Sequence, residues 1–185
     1  VIPSIINDYH AQAFPFVGEN DTPRYWRDVG TLESYWKANL DLCSIKPELN
    51  LYNADWPVWT YQPQRPPAKF VFDDEGRRGE AIDSMVSGGC IISGAKVKRS
   101  VVSSGSRINS YSFVKDSVIL PRVDIGRNCR IQNAVIDKGT IIPQDTVIGE
   151  DPVEDAKRFY VEPDTGIVLV TPQMVGQRLY ITRDD

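Results

Sequence analysis

The chain has 185 residues, of which 41% are hydrophobic and 25% are charged, and its formal net charge is -4. This is the composition of an ordinary globular protein, and the length suits one or two domains. The negative charge argues against a general binder of nucleic acid or of anionic membranes. The sequence contains no run of about 18 apolar residues, so it predicts no membrane span.

The first part of the chain predicts one helix, preceded by an aspartate. The segment 31–42 reads "TLESYWKANLDL", with Thr31 as a plausible N-cap residue and apolar residues at helical spacing. Asp28 stands just before it, in "YWRDVGT". Two interpretations follow from the residues alone: Asp28 caps this helix, or it holds a metal ion against a phosphate.

The segments on either side of this helix have simple sequence signatures. The N-terminal ten residues lack a basic region before an apolar stretch, so they do not form a signal peptide. The chain also begins with Val1 rather than Met, which suggests a fragment or a processed chain. The proline-rich stretch 57–70 predicts an extended linker, and "DDEGRRGE" (73–80) predicts an exposed turn or loop.

A repeat of 17 residues dominates the region 85–149. Aliphatic residues or Met recur at this step in three series: Ile91, Ile108, Ile125, Ile142; Val97, Val114, Ile131, Ile148; and Met85, Val102, Ile119, Ile136. Three inward positions in each period predict a triangular coil, in which every coil stacks on the previous one at strand spacing. The tripeptides "SVV", "SVI" and "AVI" at 100–102, 117–119 and 134–136 repeat with the same step.

The corners of such a coil need residues that tolerate a positive φ angle, which is cheapest for glycine. We expect this role for Gly88, Gly94, Gly105, Gly126, Gly139, Gly149, Asn109, Asn128 and Asn133. After the coil, "DPVEDAKRFYV" (151–161) predicts a helix with Asp151 as cap and Glu154 completing a capping box. A short strand at 166–171 and a last helix in "PQMVGQRLY" (172–180) complete the chain.

Few residues suit independent catalysis. His10 is the single histidine, which excludes a histidine-ligated metal centre and argues against a histidine general base in the coil. The chain has neither a Walker-type loop nor a G-x-G pair, so it has no nucleotide-phosphate cradle of its own. The scattered cysteines Cys43, Cys90 and Cys129 form no CxxC pair and favour reduced packing thiols in the cytoplasm.

Several motifs together resemble one family. "YWRDVGTLESYWKANLDL", "PPAKF", "SGGCIISG", "SVILPRVDIGRNCRIQNAVID" and "DAKRFY…GIVLVT" are similar, in order and spacing, to the C-terminal part of bacterial ADP-glucose pyrophosphorylase (glucose-1-phosphate adenylyltransferase). The resemblance implies a mainly β fold, a left-handed parallel β-helix preceded by the helical tail of an α/β nucleotidyltransferase domain. The implied boundaries are 1–56 for that tail, 57–84 for a linker, 85–149 for the β-helix and 150–185 for a helix-strand-helix extension.

The resemblance also implies a function. The family makes ADP-glucose and pyrophosphate from ATP and glucose 1-phosphate for glycogen biosynthesis, as a tetramer under the control of small anionic metabolites. Asp28 resembles the family's second magnesium ligand, while the phosphate loop and the other catalytic residues belong to a domain absent here, so this chain alone should not catalyse. Ser87, Gly88 and Lys138 become candidate effector contacts. The alternative is a free-standing β-helix oligomerisation module that binds a small anionic effector.

Overall fold

A three-sided coil of short parallel strands forms the centre of the computed structural model, which describes residues 2–18 and 21–178. The first side stacks β1 (Lys69–Val71), β6 (Ile91–Ser93), β9 (Arg107–Ile108), β12 (Asp124–Ile125) and β15 (Ile141–Ile142). The second side stacks β4 (Glu80–Ile82), β7 (Lys96–Lys98), β10 (Phe113–Lys115), β13 (Arg130–Gln132) and β16 (Val147–Ile148). The third side stacks β5 (Met85–Val86), β8 (Val101–Val102), β11 (Val118–Ile119), β14 (Ala134–Ile136) and β18 (Val168–Val170), with β17 (Tyr160–Val161) at its edge.

The apolar column inside the coil follows the predicted repeat at all but two positions. Ile119, for example, lies between Val102 and Ile136 in the register of the third side, and all three are fully buried. The prediction is wrong at Ile91 and Met85, which are only half-buried. Their neighbours Ile92 and Val86 face Ile108 and Val102 instead.

The cause is one corner that is shorter by a residue. Five positions separate the inward residues Ile92 and Val97, whereas six separate Ile108 and Val114 in the next coil. Gly94 turns the short corner with φ +63°, and a Cβ there would lie 2.7 Å from Cγ of Arg77. A fixed step of 17 therefore fails for the first coil, where the step is 16.

The corners are built partly as predicted. A positive φ is found at the expected Gly94, Gly105, Gly139, Gly149, Asn128 and Asn133. It is not found at Gly88, Gly126 or Asn109, and Gly89 rather than Gly88 turns its corner, with φ +77°. Gly126 serves close approach instead, because a Cβ there would lie 2.5 Å from the backbone N of Gln144.

The segment before residue 85 contributes to the coil. β1 pairs with β6 and β4 pairs with β7, so the parallel ladder includes strands that lie within the stretch interpreted as a linker. Between them, β2 (Asp73–Asp74) and β3 (Arg77–Arg78) form an antiparallel hairpin whose turn contains Gly76 at φ +73°. The segment predicted as an exposed turn or loop therefore does contain a turn, and the residues on either side of it pair as a β-hairpin.

The N-terminal part contains a short helix, α1 (Ile2–Ile5), and the predicted helix, α2 (Leu32–Asp41). Thr31 is the N-cap of α2, and its hydroxyl accepts from the Ser34 N–H at 3.1 Å in a reciprocal capping box. Apolar residues of α2 pack on the third side of the coil. None of the helices in the described part of the chain is long and apolar enough to span a membrane.

The C-terminal extension closes one end of the coil. Asp151 caps α3 (Pro152–Ala156) by accepting from the N–H groups of Val153 and Glu154, whereas the Glu154 carboxylate pairs with Lys157 at 2.5 Å. The predicted helix 151–161 is therefore too long, since β17 follows. The predicted strand at 166–171 is confirmed as β18, and a 3-10 helix (Pro172–Val175) follows it. Residues 179–185, including the end of the predicted last helix, lie outside the described residues.

Candidate functional site

Asp28 lies in an exposed turn directly before α2. Its Oδ1 accepts a hydrogen bond from the Gly30 N–H at 2.9 Å, which fixes the carboxylate against its own backbone. Because Thr31 caps α2, the interpretation of Asp28 as the cap of this helix is wrong. The Asp28 carboxylate is thus held in place on the surface, in front of the helix rather than over its first turn.

Arg27 anchors the turn that carries Asp28. Its Nη2 forms ion pairs with Asp41 Oδ2 at 3.1 Å and with Glu48 Oε2 at 3.0 Å, at the far end of α2 and just beyond it. These groups are all partly exposed, so each pair contributes only modestly to stability. Their structural effect is to tie residue 27 to the helix, which leaves Trp26 and Asp28 on the outside.

A magnesium ion needs more ligands than this turn supplies. Mg²⁺ prefers near-octahedral coordination by oxygen, usually from one or two carboxylates together with phosphates and water. Within residues 2–18 and 21–178, no group of three or more His, Cys, Asp or Glu side chains could hold a metal ion. Asp28 has the right chemistry for one ligand, and the remaining ligands would have to come from outside the described chain.

A second candidate site is an open cavity of about 490 Å³ at one corner of the coil. It is lined by Tyr61, Gln62, Pro63, Arg65, Ser87, Gly88, Ser103 and Ser104. Two of the predicted effector residues, Ser87 and Gly88, therefore lie together in a concave site. Three hydroxyl-bearing serines and one guanidinium are groups that suit a small anion.

At this corner, backbone groups already form hydrogen bonds within the protein, so they are less available to bind an anion than the side chains are. The Ser87 N–H donates to the Val102 carbonyl at 2.9 Å, and the Gly89 N–H donates to the Pro66 carbonyl at 2.6 Å. The Gly88 carbonyl accepts from the Gly105 N–H at 3.2 Å. An anion at this corner would thus meet side-chain hydroxyls and Arg65 more readily than the N–H of Ser87.

Arg65 is the residue of this cavity that sequence reasoning missed. Its side chain lies across two corner glycines: a Cβ on Gly89 would lie 2.9 Å from Arg65 Cδ, and one on Gly105 would lie 3.0 Å from Arg65 Nη1. The glycines thus make room for the guanidinium. The available signal was its position as the single basic residue in "PVWTYQPQRPP" (57–67), directly before the first strand of the coil.

Lys138, the third predicted effector residue, is not brought to this cavity. Lys138 is exposed and lies at the same corner as Gly88, but three coils further on. The coils can be counted from the backbone hydrogen bonds that connect them: Gly105 N–H to Gly88 O, Arg122 N–H to Ser104 O and Gly139 N–H to Pro121 O. Three coil spacings amount to about 14 Å. Ser104, the lining residue nearest to Lys138 along the ladder, is two coil spacings or about 10 Å away, and Lys138 does not line the cavity.

The cysteines have the surroundings of packing thiols. Burial raises the pKa of the Cys90 thiol, although hydrogen bonds to the backbone and the nearby charge of Arg65 act in the opposite direction. Burial likewise raises the pKa of Cys129, which is fully buried in the core. A raised thiol pKa lowers the fraction of reactive thiolate at neutral pH.

Comparison with known proteins points to one family. The family model described as "GlmU-like, C-terminal hexapeptide" matches residues 66–170, which fits a left-handed β-helix. The glucose-1-phosphate adenylyltransferase of Hydrogenovibrio crunogenus is 72% identical over 183 residues, covering 99% of this chain and 43% of the relative. The enzymes of that name from Thiobacillus denitrificans and Methylococcus capsulatus are 65% and 60% identical, covering 100% and 99% of this chain.

The chain spans less than half of the length of these relatives, 42–43% in each case. The match includes both the coil and the segment that carries Asp28, because it covers nearly every residue of this chain. The chain therefore belongs to the GlmU-like C-terminal hexapeptide family and corresponds to the C-terminal part of glucose-1-phosphate adenylyltransferases.

Proposed function

We propose that this chain is the oligomerisation and regulatory part of an enzyme that makes ADP-glucose and pyrophosphate from ATP and glucose 1-phosphate. One structural observation supports this proposal in addition to the sequence similarity: the segment before the coil is rich in exposed aromatic side chains. They are Tyr9, Phe14, Phe16, Trp26, Tyr52, Trp56, Trp59 and Tyr61. Tryptophan, tyrosine and phenylalanine are enriched where proteins bind one another.

These aromatic residues favour the enzyme over the alternative of a free-standing module. A module would need only the coil and an anion cavity, and its N-terminal segment would gain nothing from exposing tryptophans. A preceding nucleotidyltransferase domain would cover them and would also supply the nucleotide-phosphate cradle that this chain lacks. Copies of this chain that associate through their coils would form a homo-oligomer. We propose that this oligomer is the tetramer that the family resemblance implies.

Asp28 is the residue of this chain that we assign to the reaction centre. Its carboxylate would be one oxygen ligand of Mg²⁺, with ATP, glucose 1-phosphate and the preceding domain supplying the others. The chemistry that the ion would supply when bound is neutralisation of negative charge on the phosphates of the two substrates. The contribution of this chain is to present Asp28 in a fixed turn, with Oδ1 already oriented by the Gly30 N–H.

The experiment that tests this function is a chimera in which the N-terminal part of the Hydrogenovibrio crunogenus relative precedes residues 1–185. We expect ADP-glucose formation from ATP and glucose 1-phosphate with magnesium, and a tetrameric mass by light scattering. The isolated chain should form no product, because it lacks a phosphate cradle. A folded chimera without activity, or a strictly monomeric one, would contradict the proposal.

For the corner cavity we propose binding of a small anionic effector by Arg65 and the hydroxyls around Ser87 and Gly88. Replacing Arg65 with Gln should weaken binding of inorganic phosphate to the isolated chain by about tenfold, as loss of one charge-assisted hydrogen bond predicts. Calorimetric titration measures this directly. The matched control is Lys138→Gln, for which we expect a smaller change because Lys138 does not line the cavity. Equal losses in the two variants would mean that only general charge attraction is at work.

A further inference from the structure

Helix α2 is fastened to the outside of the coil by an apolar contact. On the helix this contact comprises Leu32, Tyr35, Trp36 and Leu40. On the coil it comprises an outward row of the third side and its neighbours, Val101, Val118, Leu120, Val135, Ile167 and Leu169. The repeated valines of "SVV", "SVI" and "AVI" supply this outward row, so the third side is apolar on both of its faces.

One polar bond fixes the helix within this contact. The indole N–H of Trp36 donates to the backbone carbonyl of Asp116 at 2.9 Å, across 80 positions of sequence. An apolar contact alone is non-directional, whereas this bond sets the rotation and the height of the helix on the coil. We call this bond the Trp36–Asp116 clamp.

The acceptor of the clamp is itself held firmly. Asp116 turns a corner of the coil with φ +48° and is only 5% exposed. Its carboxylate pairs with Arg99 Nε, and with Lys115 Nζ at 3.6 Å. These contacts fix the peptide group that carries the acceptor carbonyl. If α2 moved, the carbonyl would stay in place and the hydrogen bond would break.

Asp28 is attached to the same helix. It precedes the N-cap Thr31 by three residues, and Arg27 beside it pairs with Asp41 at the other end of α2. A ten-residue helix moves as a stiff rod of about 15 Å. The position of the Asp28 carboxylate relative to the coil is therefore set by where α2 sits.

We infer that Trp36 is a positioning residue for Asp28: its hydrogen bond to Asp116 holds α2, and with it the proposed metal ligand, at one place on the coil. This inference rests on the proposed function, since it concerns the same carboxylate. Without the clamp, α2 keeps its apolar contact but samples several placements. Metal binding must then select one of them, which weakens the apparent affinity.

The test is Trp36→Phe in the chimera, with Tyr35→Phe as matched control. Both variants keep an aromatic ring in the same contact, but only the first removes the donor of the clamp. We expect Trp36→Phe to raise the magnesium concentration for half-maximal activity about fivefold, as loss of one hydrogen bond predicts, with turnover at saturating magnesium within about twofold. Tyr35→Phe should leave the magnesium response unchanged.

A second readout does not depend on activity. Hydrogen exchange of the backbone amides of residues 31–42, measured without metal, should be about fivefold faster in Trp36→Phe than in Tyr35→Phe, because so short a helix depends on its packing against the coil and opens more often when it is held less firmly. If Trp36→Phe fails to fold, Asp116→Asn replaces it, because Asn tolerates a positive φ and keeps the acceptor carbonyl while the ion pairs are lost. It should shift both readouts in the same direction.

The outcomes separate the clamp from the proposed function. If the active-site role of Asp28 fails, Asp28→Asn will leave the magnesium response intact, whatever Trp36 does. If Asp28→Asn abolishes activity but Trp36→Phe matches Tyr35→Phe in both magnesium response and exchange, the inference about Trp36 is overturned alone. Faster exchange with an unchanged magnesium response would also overturn it, since Trp36 would then stabilise the helix without positioning Asp28.

Discussion

Replacing Ile119 with Asp should destabilise the chain by several kcal/mol. Ile119 is fully buried within the apolar column, between Val102 and Ile136. A carboxylate there would lie among the aliphatic side chains of the column, so it must either remain charged in an apolar interior or bind a proton with a strongly raised pKa. Either route costs about 3–5 kcal/mol, which is a large part of the stability of a typical domain.

The matched control for Ile119→Asp is Lys98→Asp, on an exposed position of the coil. It introduces the same side chain without burying it and should cost less than about 0.5 kcal/mol. Denaturant unfolding followed by circular dichroism compares the two variants with the parent chain. If Ile119→Asp cannot be purified in folded form, Ile119→Val should still cost about 1 kcal/mol for the lost methylene. Equal effects of Ile119→Asp and Lys98→Asp would contradict the register of the coil.

The coil was predictable because its physics is repetitive. Each side places one inward residue per period, and a column of such residues must be apolar, so Ile108, Ile125 and Ile142 reveal their alignment directly in the sequence. The register of the first coil was not predictable, because it depends on how many residues turn the corner at Gly94. That number follows from contacts with Arg77 and with the next coil, which are contacts in space.

The corner residues show a similar limit. Glycine and asparagine tolerate a positive φ, so they were reasonable candidates. Tyr111 and Arg122 nevertheless adopt φ +66° and +60°. Stacking against the coils on either side forces the chain to turn there whatever the residue, and local preference cannot predict it.

The candidate sites were predictable only as separate residues. The sequence indicated Asp28 and the serine-glycine corner at Ser87 and Gly88, but it gave no sign that Arg65 crosses that corner or that Lys138 lies three coils away. It also left the partner of α2 unknown. The Trp36–Asp116 clamp joins residues 80 positions apart, and only the folded coil brings them together.

Replacing Asp28 with Asn should reduce ADP-glucose synthesis by at least about a hundredfold when the chain is joined to an intact catalytic domain. This is the scale expected when a few kcal/mol of charge stabilisation through a metal ion is lost. The fold should not change, because the amide oxygen of Asn can accept the Gly30 N–H as Asp28 Oδ1 does, and because Thr31 caps α2 independently. Asp55→Asn, at another exposed carboxylate of the same segment, is the matched control and should keep normal activity.

The most direct test of the assignment is therefore the rate of ADP-glucose formation by the Asp28→Asn chimera over a range of magnesium concentrations. The predicted result is a loss of at least about a hundredfold that persists at saturating magnesium, with an unchanged thermal unfolding midpoint and full activity in Asp55→Asn. Near-normal turnover of Asp28→Asn at saturating magnesium would contradict the account, because the Asp28 carboxylate would then be no more than a local partner of the Gly30 N–H.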